Sequence, residues 1–257
     1  RRTILTDIIG TPGDDMLSGS PGNDVYRGRE GNDVITGGGG SDSFYGDDGN
    51  DIITGGSGND RFDGGSGDDA LYGVGGSDIF EGGDGDDLIV AGDGNDRIDG
   101  GDGIDDLRGN GGDDLITGGA GADLINGGAG YDIASYANDT AGITVDLMAG
   151  TASDGDQLAG IEGLTGGSGD DHLIGDAGGN ILDGGAGADL IDGGLGYDTV
   201  SFAGHTTAVT IDLSLGTTSE GDSLISIEAA TGGAGSDHLI GDAGSNVLDG
   251  GAGADLI

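Results

Sequence analysis

The chain has 257 residues, 66 of them Gly and none Cys, and its 49 acidic residues against 7 basic ones give a formal charge of -42. Leu, Ile, Val and Phe supply only about a fifth of it, close to the level at which a highly charged chain fails to fold unaided, so a core of ordinary thickness is excluded unless something neutralises the acid. The charge also excludes nucleic acid, whose phosphates require a basic face; zero Cys excludes a disulfide frame, and no run of about 18 apolar residues exists to cross a bilayer.

A cation is therefore the expected partner, with neither nucleic acid binding nor membrane insertion. Residues 1–9 read as a leading strand. No signal peptide opens the chain, and it starts at Arg1 and stops one residue short of completing a repeat at Ile257. It is expected to be a segment of a longer polypeptide.

From Gly10 to Ser135 run fourteen nine-residue units without insertion or deletion, one of them Gly55-Gly56-Ser57-Gly58-Asn59-Asp60-Arg61-Phe62-Asp63. Position 4 is always Gly and position 6 always Asp, and position 1 is Gly except at Ala91. Position 8 is Leu17, Tyr26, Ile35, Phe44, Ile53, Phe62, Leu71 and on through Ile125 to Ala134, almost all apolar. A fixed period of this kind is the mark of a repeat architecture. Each unit divides into a Gly-rich turn of six residues and a three-residue strand, too short for a helix. Two units make one 18-residue coil that advances about 4.8 Å, one strand spacing. The expected fold is all-β: a right-handed parallel β-roll, or β-solenoid, of 18-residue coils, with position 8 filling a thin core between two sheets.

That geometry stacks position 6 over position 6 of the second unit along. Two carboxylates about 5 Å apart repel by roughly 3 kcal/mol at an effective dielectric near 20, and the stack repeats along both turn edges. A hard divalent cation between adjacent turns removes the repulsion, with backbone carbonyls completing an all-oxygen shell. A flexible shell of six to eight oxygens suits Ca²⁺, whereas Mg²⁺ demands a stricter octahedron. The expected metal ligands in this block are Asp15, Asp24, Asp33, Asp42, Asp51, Asp60, Asp69, Asp78, Asp87, Asp96, Asp105, Asp114, Asp123 and Asp132.

Residues 136–165 interrupt the nonapeptide, four further units follow over 166–201, a second interruption spans 202–231, and a truncated block closes the chain over 232–257. The two interruptions share Thr144/Thr210, Asp146/Asp212, Gly155/Gly221, Asp156/Asp222 and Glu162/Glu228, so the organisation is a 66-residue module whose second copy is cut short. Alternation over Ile143–Leu147 and around Leu158–Glu162 reads as two longer strands per interruption, expected to continue the roll. The later blocks add Asp171, Asp189, Asp198, Asp237 and Asp255 as ligands, while Asn180 and Asn246 replace the Asp. Pairing each position 6 with the next one 18 residues on gives 15 sites, and about 15 divalent ions bring the charge to about -12. Asp156 and Asp222 are not assigned as ligands.

Gly-Gly-x-Gly-x-Asp-x-apolar-x resembles the nonapeptide of RTX (repeats-in-toxin) proteins, the hemolysin-type calcium-binding region, and the resemblance runs over almost the whole chain in 21 copies. It implies a calcium-binding β-roll, export of the parent protein by type I secretion, and a chain that stays disordered until it meets calcium outside the cell.

Competing chemistry finds little support. His172, His205 and His238 lack a His-Glu-x-x-His frame, the equivalent His172 and His238 read as surface residues rather than ligands, no nucleophile elbow is present, and EF-hand loops would need a Glu at position 12. No enzyme activity is expected. Position 7 reads Met16, Val34, Ile52, Ala70, Leu88, Asp106 and Leu124 along one expected sheet but includes Ser43, Arg61 and Arg97 along the other. The first series gives an apolar outer face, read either as a β-favouring surface tolerated beside polar neighbours at position 9 or as a packing face for lateral association or a partner domain.

The expected function is a calcium-loaded structural, spacer or adhesion module of a larger secreted or cell-surface protein, folding on binding. The alternative is an accessory domain of a secreted protease, lipase or polysaccharide-modifying enzyme, aiding folding or carbohydrate binding.

Overall fold

The computed structural model describes residues 6–257. Within the expected leading strand, Thr6–Ile9 is a β-strand, and residues 1–5 lie outside the described residues. All 29 regular elements are strands, and no helix occurs among the described residues. The chain separates into two compact units, residues 1–134 with 155–161 and residues 135–154 with 162–257. Each is a parallel β-roll, as the repeat period requires.

In the first unit, successive strands alternate between two sheets, so each strand pairs with the next but one. Val34–Gly39, Ile52–Ser57, Ala70–Gly75 and Leu88–Asp93 are consecutive neighbours in one sheet, and Ser43–Asp48, Arg61–Ser66, Ile79–Asp84 and Arg97–Asp102 in the other. Pairing is parallel with an 18-residue register, for example Ile35↔Ile53 and Phe44↔Phe62. Side chains alternate faces along a strand, and position 8 points inward: Ile35, Ile53, Leu71 and Ile89 have no exposed surface. Opposite them Tyr26, Phe44, Phe62 and Phe80 form a stack one coil apart, with ring centroids 4.8, 5.0 and 4.4 Å from one another. Burying each of these side chains contributes about 1.5–3 kcal/mol, and the stacked pairs add about 0.5–1.5 kcal/mol each.

The strands are longer than the three residues expected. In the interior of the first unit most run six, as in Ile52–Ser57, from position 7 through position 3 of the next repeat. Position 1 also faces inward and is buried, which leaves room only for Gly or, once, Ala91. The backbone then bends at position 2, where φ is positive: Gly56 at 121° and Asp47 at 73° are two instances. Position 4 is invariant for two reasons. Gly58 has φ of 136°, in the region that side chains disfavour, and a Cβ there would run into the carbonyl of Gly40, the same position one coil earlier.

The expected outer stripe forms, with Met16↔Val34↔Ile52↔Ala70↔Leu88↔Asp106↔Leu124 in register. Met16 is 86% and Ile52 47% exposed. Asp106 interrupts the stripe and pairs with Arg108 at 2.5 Å. The other outer face is ionic, with Arg61 to Glu81 at 3.1 Å and Arg27 over the Tyr45 ring at 4.2 Å.

In the second unit most strands are three residues long, such as His172–Ile174 and Leu190–Asp192. The alternating segments do not make the two longer strands expected of each interruption. Residues 202–231 give four short ones, Thr210–Asp212, Thr217–Thr218, Ser223–Ile225 and Ala229–Thr231. The first two form an antiparallel hairpin, because Leu213–Gly216 reverses the chain before the alternation can extend. Thr210–Asp212 then pairs in parallel with His238–Ile240, and Ser223–Ile225 with Leu190–Asp192. Residues 144–152 repeat the hairpin with Thr144–Asp146 and Thr151–Ala152.

Candidate metal centres

Position 6 sits where the strand direction resumes after the turn, so its side chain points along the stack rather than into solvent. Of the predicted ligands, Asp24, Asp33, Asp42, Asp51, Asp60, Asp69, Asp78, Asp87, Asp96, Asp105, Asp114, Asp123, Asp132, Asp171, Asp189, Asp198 and Asp237 are buried, each at most 3% exposed. Asp15 and Asp255, at the ends of their columns, are partly exposed. Each predicted pair is brought together by one contact: the backbone N–H of the earlier residue donates to Oδ1 of the later Asp. Asp51 N reaches Asp69 Oδ1 at 2.7 Å, Asp60 N reaches Asp78 Oδ1 at 2.8 Å, and Asp237 N reaches Asp255 Oδ1 at 2.9 Å. Asn180 keeps the same geometry, donating to Asp198 Oδ1 at 2.8 Å.

The second carboxylate oxygen is the informative one. In every position-6 Asp from Asp33 through Asp114, and in Asp198, Oδ2 is buried and has no hydrogen-bond partner. A buried carboxylate oxygen left so costs several kcal/mol unless a proton or cation satisfies it. Burial is the largest influence on these groups and pushes their pKa up, opposed by the N–H on Oδ1 and reinforced for most by neighbouring carboxylates. Asp51, Asp60, Asp87, Asp105 and Asp189 rise to about 6, and Asp69 and Asp96 to about 7. Such acids keep part of their protons toward neutrality, most at Asp69 and Asp96, unless a positive charge arrives.

The donor set fits a hard cation. A Cβ added to Gly37 would lie 2.6 Å from Asp42 Oδ2 and 2.7 Å from the carbonyl oxygen of Gly55, one coil later. The glycine thus leaves open a space faced by a carboxylate oxygen and a backbone carbonyl, and the same pair of oxygens recurs at Gly28, Gly46, Gly64, Gly82 and Gly100. Among the described residues no group of three or more acidic or His side chains forms a metal cage by itself, so backbone carbonyls must complete any shell. All-oxygen coordination of this sort is the preference of Ca²⁺.

Sequence reasoning missed three acids that join the columns. Asp156 Oδ1 accepts from Asp123 N at 2.8 Å, Asp222 Oδ1 from Asp189 N at 3.0 Å, and Glu228 Oε2 from Asp198 N at 3.0 Å. They stand 33, 33 and 30 residues along instead of 18. Their signal is the surviving end of the repeat, acid-x-apolar, in Asp156-Gln157-Leu158, Asp222-Ser223-Leu224 and Glu228-Ala229-Ala230. A second ladder was also unforeseen. Position 5 accepts from the backbone one coil later, as Asn32 Oδ1 does from Asn50 N at 3.0 Å and Asp68 Oδ1 from Asp86 N at 3.1 Å. It runs opposite to the position-6 ladder and ties the turns on their solvent side.

His205 is partly buried. Its Nδ1 lies 3.1 Å from Glu220 Oε1 and its ring meets Phe202 edge-on at 5.0 Å, so it fastens the second hairpin to the strand before it. His172 and His238 occupy equivalent, partly exposed strand positions.

A family model described as the RTX calcium-binding nonapeptide repeat (4 copies) matches residues 7–35, 36–71, 72–107, 99–134, 165–200 and 229–257, well over half of the chain. No curated protein matches it.

Proposed function

The chain belongs to the RTX calcium-binding nonapeptide repeat family, and from that premise we propose that its turns hold Ca²⁺ between stacked position-6 carboxylates, about one ion for each of the 15 Asp or Asn pairs read from the sequence. Membership of a calcium-binding repeat family supports reading it as a structural roll rather than a catalytic domain. The observation that carries the reading is the row of buried Oδ2 atoms, Asp33 through Asp114, with no partner in the protein.

The predicted residues would hold the ions as pairs, Asp15 to Asp132 in the first block, Asp171 with Asp189 and Asn180 with Asp198 in the second, and Asp237 with Asp255 in the third, each ion on Oδ2 of the later Asp of its pair. Bound calcium would supply the positive charge that burial makes these carboxylates demand. Each Asp from Asp33 to Asp114 bridges two coils through Oδ1, so an ion on its Oδ2 locks the coil already docked. Binding and folding are then one equilibrium, and metal affinity becomes folding free energy. Affinities of about 10⁻⁴ to 10⁻³ M, as in extracellular modules, would keep the chain unfolded at cytoplasmic calcium and fold it outside. Calcium-dependent folding supports placement in a secreted or cell-surface protein, as a rigid spacer or adhesion segment.

Far-UV circular dichroism of the full chain during calcium and magnesium titrations tests the reading. A cooperative gain of β signal with calcium, absent with magnesium, is expected. A full β spectrum that persists in chelator would overturn it.

A further inference from the structure

The same turn occurs in two forms within this molecule. In the closed form the N–H of position 2 donates to the position-6 side chain of its own turn: Thr11 to Asp15 Oδ2 at 2.5 Å, Gly167 to Asp171 Oδ2 at 2.7 Å, Gly233 to Asp237 Oδ2 at 2.8 Å. Asp176 and Asp242 do the same to Oδ1 of Asn180 and Asn246, both at 2.8 Å. None of these position-2 residues has a positive φ. In the open form position 2 is left-handed, as at Arg29, Gly38, Asp47, Gly56, Gly65, Val74, Gly83, Gly92, Gly101 and Asn110. In each of those turns Oδ2, on Asp33 through Asp114, has no hydrogen-bond partner. The closed turns are the first ones of each block, where no nonapeptide turn lies one coil earlier.

One peptide orientation therefore decides who satisfies the carboxylate. A lone pair filled by the turn's own N–H is lost to a cation, and a turn that rotates the N–H away strands its oxygen unless a cation comes. Both forms occur in one chain, at different turns of the same repeat, so the nonapeptide can adopt either. The open form bears differently on different residues: Gly takes left-handed φ freely, Asp and Asn tolerate it, and a β-branched residue is a conformational outlier there. Val74 has φ of 86° and is 58% exposed, so no burial of its side chain compensates.

We propose that position 2 is the gate of each cation site, closed when its N–H binds the carboxylate and open when it is left-handed, and that Val74 makes the turn ending at Asp78 the weakest-binding open turn of the first block. This rests on the calcium reading above. At falling calcium that turn empties first and relaxes to the closed form, with the Val74 N–H on Asp78 Oδ2.

The test is calcium bound per full-length chain, by equilibrium dialysis over buffered free calcium, in the range where circular dichroism still reports a folded roll. Wild type should release about one ion ahead of the rest. Val74→Gly should move that early step to about tenfold lower free calcium, the ratio expected from removing one strained left-handed residue. Gly56→Val should create a second early step. Ser226→Gly, which relieves a left-handed φ of 53° outside the nonapeptide turns, should leave the early step where it is. The inference fails if the Val74→Gly curve superimposes on wild type, or if Ser226→Gly shifts it equally. A wild-type chain that takes up no calcium would instead bring down the calcium reading itself, and this inference with it.

Discussion

The two units are spelled in the same nonapeptide, yet the first builds six-residue strands and the second three-residue ones. The extra residues are positions 1 to 3, and they join the strands where two left-handed turns lie one over the other, as in Gly56↔Val74 and Gly65↔Gly83. At the start of the first unit, where the Ser20 turn is closed, the strand Met16–Ser18 is also short. In the second unit each open turn stands alone: Gly185 follows the closed turn of Gly167. Repetition therefore contributes something a single copy lacks. Long blocks extend their strand pairing through the turns, and short blocks, interrupted by hairpins, do not.

The difference should show most strongly with pH in the absence of metal. For an Asp whose folded pKa lies above its unfolded value near 4, folding is unpenalised below pH 4 and loses stability as pH rises through the folded pKa. With Asp51 and Asp60 near 6 and Asp69 and Asp96 near 7, the chelated chain should gain β structure as pH falls from about 7 to about 4. Hydrogen exchange should place most of that gain in residues 24–120. Equal gains in the two units would contradict the comparison.

Core truncation comes next in size. Phe62 lies mid-stack between Phe44 and Phe80, and Phe62→Ala should cost about 3–5 kcal/mol in saturating calcium, by thermal or denaturant melting. Leu182→Ala, buried in the second unit without a ring stack, should cost less, about 2–4 kcal/mol. Asp69→Asn removes one charge shared by two turn gaps and should raise the calcium needed for half-folding by about tenfold, ~1.4 kcal/mol. Smallest is Arg61→Ala. Its pair with Glu81 is about half exposed on both sides, so melting should shift by no more than about 0.5 kcal/mol.

Positions 4, 6 and 8 were legible because each tolerates one kind of residue. A left-handed turn stacked on another needs Gly, a stacked acid needs Asp, and a thin core needs an apolar side chain. The 18-residue register followed from the period alone. Position 2 stayed hidden because its residues vary, with Arg29, Asp47, Val74 and Asn110 among glycines, and because its conformation is set by the turn beneath it. Position 5 looked like ordinary loop polarity until Asn32 and Asp68 were seen to accept from the next coil. Asp156, Asp222 and Glu228 escaped because they join the columns at spacings of 33 and 30 residues, where the periodic count no longer points.

The central claim is that cations sit on the stranded oxygens of stacked turns. Anomalous diffraction from crystals of the chain grown in calcium tests it most directly. Peaks beside Oδ2 of Asp33 through Asp114 and of Asp198, with none inside the closed turns of Thr11, Gly167 and Gly233, are the predicted result. A folded roll with those oxygens free of any peak, or with ions only on the exposed outer faces, would contradict it.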